Sequence, residues 1–563
     1  MRAERSDEGG ASSADAAGVE GHPTRGAARL PPWLIPCALG LGVIACAMML
    51  PGDANWDLRN YHLYNPFAFL HGRSHFDLVP ASVQTFFSPL LDVPYYLLHK
   101  RVGGVPALNA LLAIPHAVAV VLAYFITLLA LGPDRAGARW LAAIAAIYGA
   151  TGAAASTTLA STQSEMIPVA LVLGAVLLAL GAMGASAGTG APPQSGTAGG
   201  ITGGVVRRMA VCGLLCGAAA GLKLTNAYAV LAFAAGLLAW PGPSPRARVG
   251  ALLAFGAGAS VGACAVGGYW WLTLYREFGN PVFPFYNHVF HSPWMLAKSV
   301  ADTRFFPNTA FQWIAYPFYW AFTPARLVSE TPVRDPRFAL ALLAVLAVLV
   351  RWAVWPPLAP SATSARERFL VAFFAVGFAL WEVQFSILRY LAGLELLTGT
   401  MVLLATRPWW RRVAAPAGLL AAGSLCALVV AATVQPGTER AAAAGKPVDV
   451  VFPPIPPDSV VLLLDHSPMA YTAAYAPRTV RFLGVGNWVV SHPEQVLFRE
   501  RAQEILRHHT GPLWGMDQPG IYPGVPEATL AEYGLRRTPE CTQVRSNLDG
   551  DGLRLCRLER ARG

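Results

Sequence analysis

Residues 221–226 read Gly221-Leu222-Lys223-Leu224-Thr225-Asn226, and they interrupt an apolar run that extends from residue 209 to residue 240. As one helix that run would measure about 48 Å, at about 1.5 Å per residue, against a bilayer core of about 30 Å. A lysine inside such a run is costly unless the chain has reached a membrane face there. The run is therefore expected to cross twice, turning at Lys223. This choice sets the parity of everything downstream. With a double crossing, Arg246 and Arg248 lie on the same side as the N-terminus; with a single crossing they lie opposite.

Arginine placement supports the double crossing. The chain has 563 residues, 54% hydrophobic and 13% charged, with a formal net charge of +10. Soluble chains average about 25% charged residues, so this composition and its long apolar runs indicate a polytopic membrane protein. Spans are expected near 33–50, 107–132, 140–160, 166–185, 209–221, 224–240, 250–272, 336–350, 369–386, 388–406 and 413–434, about eleven in all. With the N-terminus inside, the short cytoplasmic loops hold Arg135 and Arg139, Arg207 and Arg208, Arg246 and Arg248, Arg351, Arg366 and Arg368, then Arg407, Arg411 and Arg412. Each is Arg-bearing, as topology setting requires. No continuous basic stripe with interleaved aromatics is present, which excludes nucleic acid as a partner.

The rest divides readily. Residues 1–32 are Ala-, Gly- and Ser-rich and are expected to be disordered and cytoplasmic; the first apolar run is read as an uncleaved anchor. External loops are expected at 51–106 and 273–335, and a flexible linker at 186–205. The first loop holds two amphipathic pieces, Tyr61 to Leu70 and Val83 to Leu98, expected to lie in the membrane interface. Residues 435–563 are too polar to span. Val460 to Leu464, Thr479 to Val485 and Leu553 to Leu558 read as strands and Pro493 to His509 as a helix, giving a small α/β domain. An odd number of spans puts that domain outside. Cys541 and Cys556 flank a turn-rich stretch there and are candidates for a disulfide, with two free thiols the alternative. The fold class is thus an all-α polytopic membrane protein with a small extracytoplasmic C-terminal α/β domain.

This topology brings scattered charge to one face. Asp53-Ala54-Asn55-Trp56-Asp57-Leu58-Arg59-Asn60-Tyr61-His62-Leu63-Tyr64-Asn65-Pro66 emerges directly from the first span. The Ser164–Glu165 turn, the Lys223 break, Gly279-Asn280-Pro281 and the Glu382–Arg389 break end on the same side. Ionisable groups near membrane depth are functional candidates by default. A carboxylate there can act as general base toward a hydroxyl. Neighbouring cations can hold a phosphate leaving group, and Trp56, Tyr61 or Tyr64 can stack on a sugar ring. These types together fit transfer of a group from a phosphorylated lipid carrier to an alcohol.

Three features together resemble a known family: Asp53 to Pro66, Gly221-Leu222-Lys223-Leu224-Thr225, and Gly279-Asn280-Pro281-Val282-Phe283-Pro284. The chain from residue 33 to 434 resembles GT-C type integral membrane glycosyltransferases of the bacterial polyprenyl-phosphate-sugar-dependent group. The resemblance implies a lipid-phosphate sugar donor, a first-loop acid and a site on the extracytoplasmic side of the plasma membrane. The acceptor it leaves open: a lipid, a glycan or a protein. Asp57 or Asp53 matches the first-loop acid, and Glu165 the second acid at the third-to-fourth span turn. Lys223, Arg389 and Arg59 are the candidate phosphate ligands, and Trp56, Tyr61, His62 and Asn65 the candidate sugar or acceptor contacts. Asp53 and Asp57 are four apart rather than a tight acidic pair, so no cofactor is indicated, although a divalent metal stays open.

Plainer roles compete for each residue. Asp57 can pair with Arg59 or Arg276, and Asp53 can cap a helix. Glu165 suits a helix N-terminus, Lys223 can snorkel, and Glu382 with Arg389 can form a structural pair. At the level of the whole protein, the competitors are a secondary transporter and a non-catalytic envelope assembly protein.

Overall fold

The structure, a computed structural model, describes residues 31–133, 135, 137–188, 203–241, 243–298, 300, 302–355, 361–410, 412–442, 445–550 and 552–561. The disorder expected over 1–32 falls almost wholly outside the described residues. So does the centre of the expected linker, between helices ending at Gly188 and beginning at Gly203.

The helical part comprises α1 (Leu34–Met48), α2 (Tyr64–Leu70), α3 (Val105–Leu131), α4 (Ala138–Ala150), α5 (Ala153–Thr157), α6 (Met166–Gly188), α7 (Gly203–Leu222), α8 (Ala227–Ala239), α9 (Pro245–Phe278), α10 (Ala310–Ala321), α11 (Arg337–Val354), α12 (Ala362–Gln384), α13 (Ala392–Ala405) and α14 (Ala415–Ala432). Among the described residues seven helices are long and apolar enough to cross a membrane: α3, α6, α7, α9, α11, α13 with its preceding turn, and α14. Apolar helices α1, α4 and α8 are shorter, and α12, 23 residues long, opens with Arg366, Glu367 and Arg368. A helix thus stands at each expected run. The run at 140–160 is not one helix, however. It breaks after Ala150, because Ala154 and Ala155 donate their amides to the buried Glu395 carboxylate at 3.1 and 2.6 Å.

The break at Lys223 is real. Lys223 is extended (φ −147°, ψ 110°), between the end of α7 and a short 3-10 turn at Leu224–Asn226. Its place is set by close packing of α7 on α9. Gly213, Gly217 and Gly221 recur every fourth residue and meet the backbone of Phe255, Ala259 and Ala263; Gly258 and Gly262 reciprocate against Ala210 and Leu214. A Cβ at any of these would intrude on a facing backbone atom. Small residues let helix backbones approach where apolar transfer supplies no drive, as within lipid.

The tail is one six-stranded sheet of order β1-β5-β6-β4-β2-β3, with β1 Val450–Val451, β2 Val460–Leu463, β3 Arg481–Leu483, β4 Leu513–Asp517, β5 Leu535–Ser546 and β6 Leu553–Arg560. Strands β3, β2 and β4 are parallel, and the crossover into β4 contains α15 (Val496–His508). Cys541 and Cys556 face each other across β5 and β6 and are disulfide-bonded. The expected strands at 460, 481 and 553 are present. The longest, β5, was not foreseen, because its outer positions are Arg, Glu, Gln and Thr rather than an apolar run.

The sheet sits on the first loop. Tyr61, Leu63, Tyr64 and Phe67 share a core with Val461, Leu463 and Phe482. The amphipathic piece expected in the membrane interface is therefore covered by the tail. Arg73 donates to the carbonyls of Arg478 and Val480 at 2.5 and 2.6 Å. Leu78 bonds Phe482 and Gly484 along the free edge of β3, which closes that edge. The opposite sheet face, through Leu462 and Leu483, packs with α15 and with Phe86 and Phe283 of the two loops. Lys100 of the first loop lies 4.5 Å from the centre of the Tyr475 ring of the tail.

Candidate functional site

Four chain breaks deliver four charges to one place. Asp57 stands at the start of a π-helical turn, Leu58–His62; Glu165 immediately precedes α6; Lys223 occupies the break before α8; Arg389 lies in the 3-10 turn Leu388–Leu391 before α13. Lys223 Nζ is 2.5 Å from Glu165 Oε1 and 3.0 Å from the Gln163 carbonyl. Arg389 Nη1 is 3.5 Å from Asp57 Oδ2, and its Nε is 4.0 Å from Glu165 Oε1. The two cations lie over the Tyr390 ring, 5.7 Å (Lys223) and 5.3 Å (Arg389) from its centre. Two carboxylates and two cations balance in formal charge. The contacts are unequal, though. Lys223 is tightly bound, whereas Arg389 holds Asp57 loosely and its buried Nε has no hydrogen-bond partner among the described residues. A guanidinium with unspent donors is suited to a planar anion such as phosphate.

The two first-loop acids differ sharply. Asp53 Oδ2 accepts from the Thr162 amide and hydroxyl, both at 2.7 Å, and from Asn55 Nδ2 at 2.8 Å. It is buried and its capacity is used: it fastens the first loop to the turn that leads to Glu165. It caps no helix. Asn55 takes that role, its Oδ1 accepting from the Leu58 amide at 2.7 Å. Asp57 pairs with Arg389 rather than with Arg59 or Arg276.

Arg59 points elsewhere, bonding Asp549 at 2.6 Å and also Glu439, and so ties the first loop to the tail. Among the expected sugar contacts only Trp56 is exposed. Tyr61 is buried between His62 and Phe87. Burial, and then Asp57, push its phenol well above the usual range. Asn65 is spent on the carbonyls of Gln84 and Phe87 at 2.8 and 3.3 Å. His62 Nδ1 lies 2.6 Å from Asp92 Oδ1, both side chains buried, and Nε2 has no partner among the described residues. Burial raises the Asp92 carboxyl, while His62 and Lys223 oppose that shift.

Asp92 escaped the sequence reading; its only signal was its being the one acid within Val83 to Leu98. Glu395 and Asp335 also escaped it. Together they bind the first three amides of α5, and so position the segment running on to Thr162 and Glu165. Glu382 is buried with Oε1 unpartnered and has no ion pair with Arg389 among the described residues. Asn280 is fully buried and braces its own turn, donating to the Phe285 carbonyl at 3.0 Å. Among the described residues no three His, Cys, Asp or Glu side chains gather as a metal site.

No protein-family model matches this chain, and no curated protein matches it.

Proposed function

We propose that this protein is an integral membrane glycosyltransferase. It moves a sugar from a polyprenyl-phosphate donor to an acceptor hydroxyl of a lipid, glycan or protein on the extracytoplasmic face. One observation carries the reading: Asp57, Glu165, Lys223 and Arg389 form one balanced charge cluster in which Arg389 keeps donors unspent. In this reading Asp57 takes the proton of the acceptor hydroxyl. The acceptor oxygen bonds to the anomeric carbon as the bond from that carbon to the phosphate oxygen breaks, its electron pair leaving with polyprenyl phosphate. Arg389 and Lys223 stabilise that charge, and Glu165 orients Lys223. Trp56 offers its exposed face to a sugar. Asp53, Arg59, Tyr61, His62 and Asn65 hold the loop rather than the substrate.

Eleven crossings, a cytoplasmic N-terminus and an external tail belong to the same proposal. The Arg-bearing loops and the Cys541–Cys556 disulfide support them. The breaks at Lys223 and after α12 equally favour a secondary transporter, whose sites use interrupted helices. The test is incorporation of radiolabelled sugar from polyprenyl-phosphate donors into membranes holding the protein. Transfer that is absent from an Asp57→Asn variant supports the reading. Uptake of free sugar into proteoliposomes without transfer overturns it in favour of transport.

A further inference from the structure

Helix α10 lies in the second loop and is apolar on both sides. Tyr316, Pro317 and Trp320 are buried, the last against Trp381 in the final turns of α12. On the other side Phe311, Ile314 and Phe322 are 68%, 79% and 72% exposed. Phe311 and Ile314, three positions apart, share one face of the helix before its kink at Ala315, and Phe322 stands exposed just past its end. Water is a poor solvent for this stripe, since large apolar side chains left exposed forgo the free energy of leaving water. The helix has 12 residues, about 18 Å, too short to cross a core of about 30 Å. It is also kinked at Ala315 and carries Pro317.

The stripe does not stand alone. Tyr286 Oη accepts from Gln384 Nε2 at 3.3 Å, which ties the second loop to the end of α12. There Val383 is exposed, as are Val289 and Phe290 just after Tyr286. Apolar surface therefore runs from the end of a long helix onto the loop, at the level of Trp381. Charged residues flank α10 on both sides: Asp302 and Arg304 before it, Arg326 and Glu330 after it. An apolar stripe with charged flanks, level with the end of a long helix, is the arrangement of a helix lying in a membrane interface.

We infer that α10 lies in the plane of the bilayer, its Phe311–Ile314–Phe322 stripe seated among the lipid chains of the same leaflet as the charge cluster. The helix thereby holds the preceding segment, where Arg304 pairs with Asp302 at 2.6 Å, at the membrane surface. This rests on apolar surface and not on the transferase reading.

The test is nitroxide accessibility in nanodiscs. Exposed Cys37, Cys46 and Cys264 and half-buried Cys426 are replaced by Ala, and single labels are placed by Phe311→Cys, Ile314→Cys and Phe322→Cys. Val383→Cys and Gln503→Cys serve as the apolar and the water-facing references. Collision with oxygen exceeding collision with a nickel chelate at 311, 314 and 322, as at 383, is the expected result. Chelate access equal to that at 503 overturns the inference. Protection from both reagents assigns the stripe to a protein partner and overturns it equally. The three positions are read separately, so a variant that fails to fold leaves two others to decide.

Discussion

Lys223 Nζ and Glu165 Oε1 lie 2.5 Å apart across 58 positions of chain, with the Glu165 side chain nearly fully buried. Removing one partner strands the other. Lys223→Met is expected to cost about 3–5 kcal/mol, less what Arg389 recovers from 4.0 Å away. The double variant Lys223→Met/Glu165→Gln should regain most of that stability and none of the transfer activity. Thermal unfolding in detergent beside a transfer assay checks both. A double variant as unstable as the single one contradicts the pairing.

Asp57 and Asp53 should separate cleanly. Asp57→Asn is expected to lower transfer by about 10²–10⁴-fold with little change in unfolding temperature. Asp53→Asn loses charge-assisted bonds to the Thr162 amide and hydroxyl, and should cost about 2–4 kcal/mol. Equal loss of stability in both variants refutes the division of roles.

Arg59 is expected to act on docking, not on phosphate. Its removal leaves Asp549, 1% exposed at the side chain, with only Tyr471 as a neutral partner among the described residues. Arg59→Ala should open the contact between tail and first loop, read as faster proteolysis between residues 435 and 460. A change confined to donor affinity, with proteolysis unaltered, would return Arg59 to the phosphate site.

Gly217 faces the backbone of Ala259 with no room for a side chain. Gly217→Ala should destabilise measurably and Gly217→Leu more, since neither backbone can withdraw without parting α7 from α9. The loss should extend to activity, because Lys223 directly follows this contact. Unfolding temperature and folded yield across Gly, Ala and Leu at this position give the measurement.

His99 makes the docked loop sensitive to acid. Burial first, and the neighbouring Lys100 second, lower its imidazole from 6.5 to about 4, with Nε2 lying 3.0 Å from Tyr475 Oη. The unfolded chain takes up its proton near pH 6.5, while the folded one resists until about pH 4. Stability is therefore complete above pH 6.5 and falls through that window by up to about 3 kcal/mol. The pH dependence of unfolding should flatten over this range in His99→Gln.

The sequence was most informative where the physics is local. Apolar length against bilayer thickness located the helices and the breaks at Lys223 and near Ser386, because both are counted along a single segment. The break at Ala150 was not legible, since the carboxylate that causes it lies about 240 positions away in α13. The same division runs through the site. Residue order gave the charge types and the expectation that Asp57, Glu165, Lys223, Glu382 and Arg389 share one face; in the structure all of these but Glu382 meet. Only the tertiary structure distinguished Asp53, spent on Thr162 across 109 positions, from Asp57, loosely held by Arg389. It alone turned Arg59 toward Asp549, 490 positions on. The physical reason is the same in each case: an ionisable side chain's identity is written at its own position, but whether its hydrogen-bonding capacity is already used depends on partners brought by distant segments.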